Sequence, residues 1–398
     1  MTTSPPRSAI PYGRQHITDT DIAAVTEALK ADYLTTGPRV DEFEEKFAEY
    51  IGAKYAVAVA NGTAALHLCA LALDVQEGTR VITTPITFAA SANCVRYCGG
   101  EVWFADIDPE TLTLDIDKVR TLIESRPRGF FHGIVPVDFA GYPTDLEAFR
   151  TLADEHGLWI IEDACHAPGG WFTDSRGKQQ WCGNGSYADL AIFSFHPVKH
   201  IASGEGGMIT TNDRALYERL RMLRTHGITR DRGNLRYPDQ GGWYMEMQQL
   251  GYNYRIPDIL CALGISQLSR AEEGMQRRQE IARRYDEAFA KAGGAAGGIT
   301  SHGVPEGTQR RHAFHLYVIE VADRRGLYDY LRDHQVYAQV HYVPVHTMPY
   351  YQDIGYAEAD LHHAETYYAG ALSLPMYPTL TEEEQEFVIE RVLAFVGR

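Results

Sequence analysis

Over roughly the first 250 residues, short apolar runs alternate with stretches whose apolar positions recur every three or four residues. The runs are Tyr55–Ala60, Arg80–Thr84, Glu101–Ala105, Gly133–Asp138, Leu158–Glu162 and Leu190–Ser194. Their short apolar character predicts buried strands. Asp19–Leu29 and Val40–Ile51 carry the helical period, the second with Phe43, Phe47 and Ile51 on one face. Ala64–Leu73 is a further helical run, opening directly after Asn61-Gly62-Thr63. Strands separated by helices predict an α/β fold with a mostly parallel sheet covered on both faces.

The pattern changes beyond residue 255. From Pro257 to Lys291 the helical period is unbroken through Leu260, Leu263, Leu268, Met275 and Ile281, predicting one long connecting helix. Ala292-Gly-Gly-Ala-Ala-Gly-Gly298 predicts a flexible break. A smaller α+β unit is expected after it, with strands around His315–Val321 and Ala338–Val343 and a final helix Glu382–Val396. The expected division is a large domain over 1–255 and a small C-terminal domain over 256–398.

Length supports two domains, since 398 residues exceed what one core usually accommodates. The net charge of −16 disfavours nucleic acid and anionic membrane as partners, so an anionic ligand would need a locally positive or N–H-lined site. Six cysteines without a CxxC pair suggest neither a disulfide framework nor a zinc knuckle. The Met1–Ile10 segment lacks the apolar core of a signal peptide, and no apolar run is long enough to span a bilayer. A cytoplasmic location is expected.

Ligands of open α/β sheets bind at the carboxyl ends of strands. Asn61-Gly62-Thr63, Asp163 and Ser194 all fall at such ends. Asn61-Gly62-Thr63 reads as an ordinary capped turn or as a phosphate-accepting helix N-terminus. Asp163 reads as a strand-end ion-pair partner or as the carboxylate that holds a protonated pyridine nitrogen. Lys199, in Ser194-Phe-His-Pro-Val-Lys199-His, is a solvated surface charge or a partly buried amine made nucleophilic by desolvation. His196 and His200 have metal-pair spacing, but Pro197 and the lack of a clustered third ligand argue against a metal. Gly183-Asn-Gly185-Ser-Tyr-Ala188 precedes its strand and is no dinucleotide fingerprint.

Taken in order, the motifs are Leu34-Thr-Thr-Gly37-Pro, Asn61-Gly-Thr-Ala-Ala-Leu-His67, Thr84-Pro-Ile-Thr-Phe88-Ala-Ala-Ser-Ala-Asn93 and Glu162-Asp-Ala. They continue with Ser194-Phe-His-Pro-Val-Lys199, Gly204-Glu-Gly-Gly207 and Gly251-Tyr-Asn253-Tyr-Arg255. With these the chain resembles the DegT-type nucleotide-sugar aminotransferases, which have the aspartate-aminotransferase (type I) fold, over nearly its full length. The resemblance implies that Lys199 carries pyridoxal 5'-phosphate (PLP) as a Schiff base and that Asp163 pairs with the ring nitrogen. It further implies that Phe88 stacks on the ring, that Gly62, Thr63 and Ser194 hold the phosphate, and that Asn253 serves the site of a second subunit in a homodimer or larger assembly. His166 stands where many relatives have Gln, facing the ring's phenolic oxygen.

A narrower resemblance, through Ile82–Phe88, Ser194–Ile201 and Gln339–His346, is to the pseudaminic-acid branch. That branch aminates C4 of a UDP-linked 4-keto-6-deoxy amino sugar, with glutamate as donor. It implies sugar-nucleotide contacts from Tyr12, from Asp32, Tyr33, Leu34 and Thr35, and from His341, Tyr342, Val343 and Pro344. His341 and His346 are open to reading as a metal pair, which transamination does not need. Rival readings are a dehydratase of the same fold, disfavoured by Lys199, an aminotransferase for another keto sugar, and a non-catalytic sugar-nucleotide regulator.

Overall fold

The computed structural model describes residues 9–304, 307–356 and 360–397. Most of the N-terminal decapeptide therefore lies outside the described residues. A seven-stranded sheet forms the larger layer, in the order Tyr55–Val59, Gly207–Thr211, Leu190–Ser194, Trp159–Asp163, Gly133–Val135, Arg80–Thr83, Glu101–Phe104. Every strand expected from the apolar runs is present. The sheet is parallel except for Gly207–Thr211, which runs antiparallel to both neighbours. That strand was hidden by the glycine-rich stretch before it and by its own polar threonines.

The sheet's faces explain its stability. Val57, Val59, Ile161, Ile192 and Ile209 lie in one core with the helix Gly62–Ala72, while Ile82, Ile134 and Ile160 lie in another with Phe149 and Leu152. Each such side chain taken from water contributes about 1.5–3 kcal/mol. The helix Gly62–Ala72 is buried at nearly every position, as expected of a helix apolar on all sides. A separate core joins Ile281, Tyr285 and Phe289 to Tyr317, Ile319, Leu372, Val388 and Ile10.

Two expectations for the C-terminal third are corrected. The long helix is two helices, Asp258–Leu268 and Ala271–Lys291, broken at Ser269-Arg270. Arg270 leaves helical geometry as its guanidinium reaches Asp21 at 2.6 Å and the His16 carbonyl at 2.6 Å. A hydrophobic period cannot register such a tertiary clamp. The expected strand at Ala338–Val343 is also absent. The ladder there is the short pairing of Val336–Tyr337 with Ile10–Pro11, followed by a single bridge from Gln339 to Ser373. His341 turns out of any ladder to bond Ser373 Oγ through Nδ1 at 2.9 Å. Around His315–Val321 the strand is Tyr317–Glu320, paired with Thr300–Ser301 and Ala371–Leu374. The glycine-rich break contains a 3-10 turn, Gly294–Gly297. Among the described residues no helix is long and apolar enough to cross a membrane.

Candidate active site

Strand ends converge on a cavity of about 610 Å³. The turn after Tyr55–Val59 opens the helix Gly62–Ala72, with the Asn61 side chain capping Ala64 N–H at 2.8 Å. This leaves the Gly62 and Thr63 N–H groups ahead of the helix's first backbone bond, from Ala65 to Asn61 O. A Cβ on Gly62 would stand 3.1 Å from Ser194 Cβ, so glycine keeps this corner open beside the Ser194 hydroxyl. The neighbouring antiparallel strand presses in from behind. A Cβ on Gly207 would come within 2.6 Å of the Asn61 carbonyl.

Asp163 ends its strand 5% exposed and lines the cavity. Its Oδ2 accepts from Ser91 Oγ at 2.6 Å, Ser91 Oγ lies 2.7 Å from Thr87 Oγ1, and Oδ1 accepts from Cys165 N–H at 3.2 Å. Lys199 sits in the loop between Leu190–Ser194 and Gly207–Thr211, with its amine 3.4 Å from His315 Nε2. Burial lowers the affinity of that amine for a proton, against the opposing pull of the Asp163 carboxylate. The Cys165 thiol is pushed well up by burial and stays protonated.

His166 is fully enclosed, and burial together with the Lys199 charge keeps it neutral. Its Nδ1 accepts the Ala140 N–H at 3.2 Å, so the ring proton sits on Nε2, 3.2 Å from the Tyr342 hydroxyl. His166 therefore presents a donor to the cavity. Phe88 also lines the cavity, yet 62% of it is exposed, an unusual exposure for so large an apolar ring.

Ten of the residues expected from the sequence line this cavity: Tyr12, Gly62, Thr63, Phe88, Asp163, His166, Ser194, Lys199, His341 and Tyr342. Seven do not. Asp32, Tyr33, Leu34 and Thr35 form an exposed turn tied down by Asp258, whose N–H donates to Leu34 O and whose carboxylate accepts from Gly37 N–H at 2.7 Å. Val343 is exposed and Pro344 is buried away from the cavity. Asn253 is exposed and bridges Thr225. The paired histidines have separate partners: His200 Nε2 donates to Ala313 O at 2.8 Å, and His346 Nε2 lies 3.0 Å from Glu365. Sequence reasoning missed Ser91, Cys165, Glu205, Tyr254 and His315 on the wall. Ser91 lay in a quoted motif, but only the fold shows that it meets Asp163.

Residues 15–393 match the DegT/DnrJ/EryC1/StrS aminotransferase family. The chain belongs to that family. This aminotransferase is 39% identical over 391 residues to the spore coat polysaccharide biosynthesis protein SpsC of Bacillus subtilis, covering 96% of each chain. It is 34% identical over 397 residues to the UDP-4-amino-4,6-dideoxy-N-acetyl-beta-L-altrosamine transaminase of Campylobacter jejuni, covering 98% of each. Among solved structures it resembles Helicobacter pylori PseC, an aminotransferase involved in the biosynthesis of pseudoaminic acid. That likeness has a TM-score of 0.87 and 29% identity over 98% of this chain and 100% of that one. Spr1654 of Streptococcus pneumoniae, solved in a PLP-form, matches with a TM-score of 0.86 at 26% identity over 98% of both chains. The fold is thus that of the type I PLP-dependent aminotransferases.

The aminotransferase's own residues fit that cofactor. The cavity pairs free helix N–H groups and a hydroxyl, suited to a phosphate, with an enclosed carboxylate suited to a pyridinium N–H. An uncovered aromatic face and a desolvated lysine amine complete the donor set for a planar aldehyde.

Proposed function

We propose that this aminotransferase moves an amino group from L-glutamate to C4 of a UDP-linked 4-keto-6-deoxy amino sugar, as in the making of a pseudaminic-acid precursor. The observation that carries the reading is the placement of the Lys199 amine and the Asp163 carboxylate on one cavity, beside the Gly62–Thr63 helix N-terminus. PLP, when bound, would link to Lys199 and supply an electron sink for loss of a proton from the donor carbon.

The chain's residues divide the remaining work. Gly62 and Thr63 N–H and the Ser194 hydroxyl bind the phosphate. Asp163, held by Ser91, keeps a negative charge against the ring nitrogen. His166 Nε2–H donates to the ring's phenolic oxygen, and Phe88 covers the ring face. Lys199, once released by the incoming amine, is the base that takes the donor-carbon proton and the acid that returns it. Tyr12, His341 and Tyr342 lie on the cavity wall where a sugar would meet them. Asp32–Thr35, Val343 and Pro344 are proposed to follow the nucleotide outward from that wall. Asn253, exposed, is proposed to complete the phosphate site of a partner in a homodimer.

The higher identity to SpsC is a specific reason to include other nucleotide-linked keto sugars among the acceptors tried. The test is incubation with glutamate and a panel of UDP-4-keto sugars, followed by identification of the product. Formation of the C4 amine from the 4-keto-6-deoxy amino sugar supports the reading, and amination only of a different keto sugar overturns it. A yellow protein bleached by glutamate separates an enzyme from a sugar-nucleotide regulator.

A further inference from the structure

We propose that His315 is a positioning residue that holds the free amine of Lys199 by accepting a hydrogen bond at Nε2. The proposal rests on reading Lys199 as the cofactor lysine. Among the described residues, His315 Nε2, at 3.4 Å, is the one hydrogen-bond partner of the amine. Asp163 acts on it through charge, as does the Arg278 guanidinium with the opposite sign. His166, His200 and His341 complete the titratable groups around it, and burial keeps all three neutral.

The surrounding backbone is built to hold this imidazole in place. Phe314, immediately before it, adopts a left-handed conformation at φ 46°, a strained geometry for a bulky residue. That geometry is held from several sides. Phe314 N–H donates to His312 Nδ1 at 2.9 Å, and Ala313 N–H donates to Gly141 O at 2.7 Å. Arg278, 1% exposed, donates through Nη1 to Phe314 O at 2.9 Å, His315 O at 3.3 Å and Met376 O at 3.1 Å. A buried guanidinium spent on three carbonyls fixes the loop that delivers His315 to Lys199.

The ring itself is arranged for this one contact. His315 is enclosed, and burial and the Lys199 charge keep it neutral. Among the described residues its Nδ1 has no hydrogen-bond partner, and its ring centre lies 4.3 Å from that of His166. With Nε2 accepting from Lys199, the proton stays on Nδ1, unpaired. A buried unpaired N–H works against folding and persists where a function retains it. Lys199 must leave and rejoin the cofactor in each cycle, and a fixed acceptor gives the released amine one resting place.

The experiment is competitive acetylation of Lys199 in cofactor-free protein across the alkaline range, read by mass spectrometry against exposed Lys30. His315→Leu is expected to move the midpoint of Lys199 reactivity down by about one to two pH units, the worth of a charged hydrogen bond. His315→Gln, which retains an acceptor, should keep the midpoint within about half of that shift. In the loaded enzyme His315→Leu should lower kcat about ten-fold or more with KM for the sugar nucleotide unchanged. A folded His315→Leu protein with both midpoint and kcat unchanged would overturn the proposal. Acetylation of Lys199 at equal rates with and without cofactor would overturn the cofactor-lysine reading along with it. Protection of Lys199 by cofactor together with an unshifted midpoint overturns this proposal alone.

Discussion

Ser91 donates its hydroxyl to Asp163 Oδ2 at 2.6 Å, binding the helix Ala90–Tyr97 to the end of the central strand Trp159–Asp163. The bond holds the carboxylate that is proposed to face the cofactor's ring nitrogen. Asp163→Asn is expected to lower turnover by one to two decades, since an amide loses a charged hydrogen bond worth about 1.5–3 kcal/mol. Ser91→Ala should act in the same direction but less, because Asp163 keeps its charge. Steady-state kinetics check both, and unchanged turnover in Asp163→Asn would mean that another group holds the ring.

Lys199→Ala should abolish transamination while leaving the fold intact. Among the described residues, the Lys199 side chain makes no ion pair, and its one hydrogen bond is to His315. Circular dichroism and thermal melting should match the parent protein, and the yellow absorbance of the internal linkage should disappear. Near-normal turnover without added amine would remove Lys199 from the chemistry.

Subunit mixing tests the role of Asn253, which is exposed and does not line its own chain's cavity. In a two-fold dimer each chain would lend Asn253 to the other. Mixing inactive Lys199→Ala with an inactive Asn253→Ala chain should then restore activity in heterodimers with one intact site. No recovery under verified subunit exchange, or a fully active monomer, would assign Asn253 to its own chain's bridge with Thr225.

Stability should fall as the solution is acidified. His312 and His341 are buried with their affinities for a proton lowered to about 3, against about 6.5 when unfolded. Below pH 6.5 the unfolded chain binds protons that the native chain refuses. The stabilisation present above that value is therefore lost progressively down to about pH 3, at up to about 1.4 kcal/mol per pH unit for each group. Thermal melting between pH 7 and pH 5 should show the decline, and His312→Gln should reduce its slope. A melting temperature independent of pH over that interval would contradict the burial of neutral histidines.

The sheet was legible because most of its strands are largely buried and read as continuous apolar runs, and the site because its residues cluster at the ends of those strands. Asp163 and Ser194 needed only the rule that ligands gather at carboxyl ends. Ser91 and His315 did not declare themselves, because their partners, Asp163 and Lys199, are distant in sequence. The break at Ser269-Arg270 was invisible for the same reason, since its cause is a contact with Asp21. Gly207–Thr211 lacked a strand's apolar signature because two of its five residues are threonines, whose hydroxyls bond Gly183 O and Asp189 O.

The reversed strand Gly207–Thr211 carries a mechanical consequence. Parallel neighbours need a long crossover, but antiparallel ones can be joined by a short loop. The loop of residues 195–206 is stapled at its base, where Ser194 faces Gly207 across the ladder. Lys199 therefore rides on a closed hairpin whose two legs are buried strands of the sheet. Such an anchor cannot swing as a lid does, so the amine travels by rotation about its own side-chain bonds.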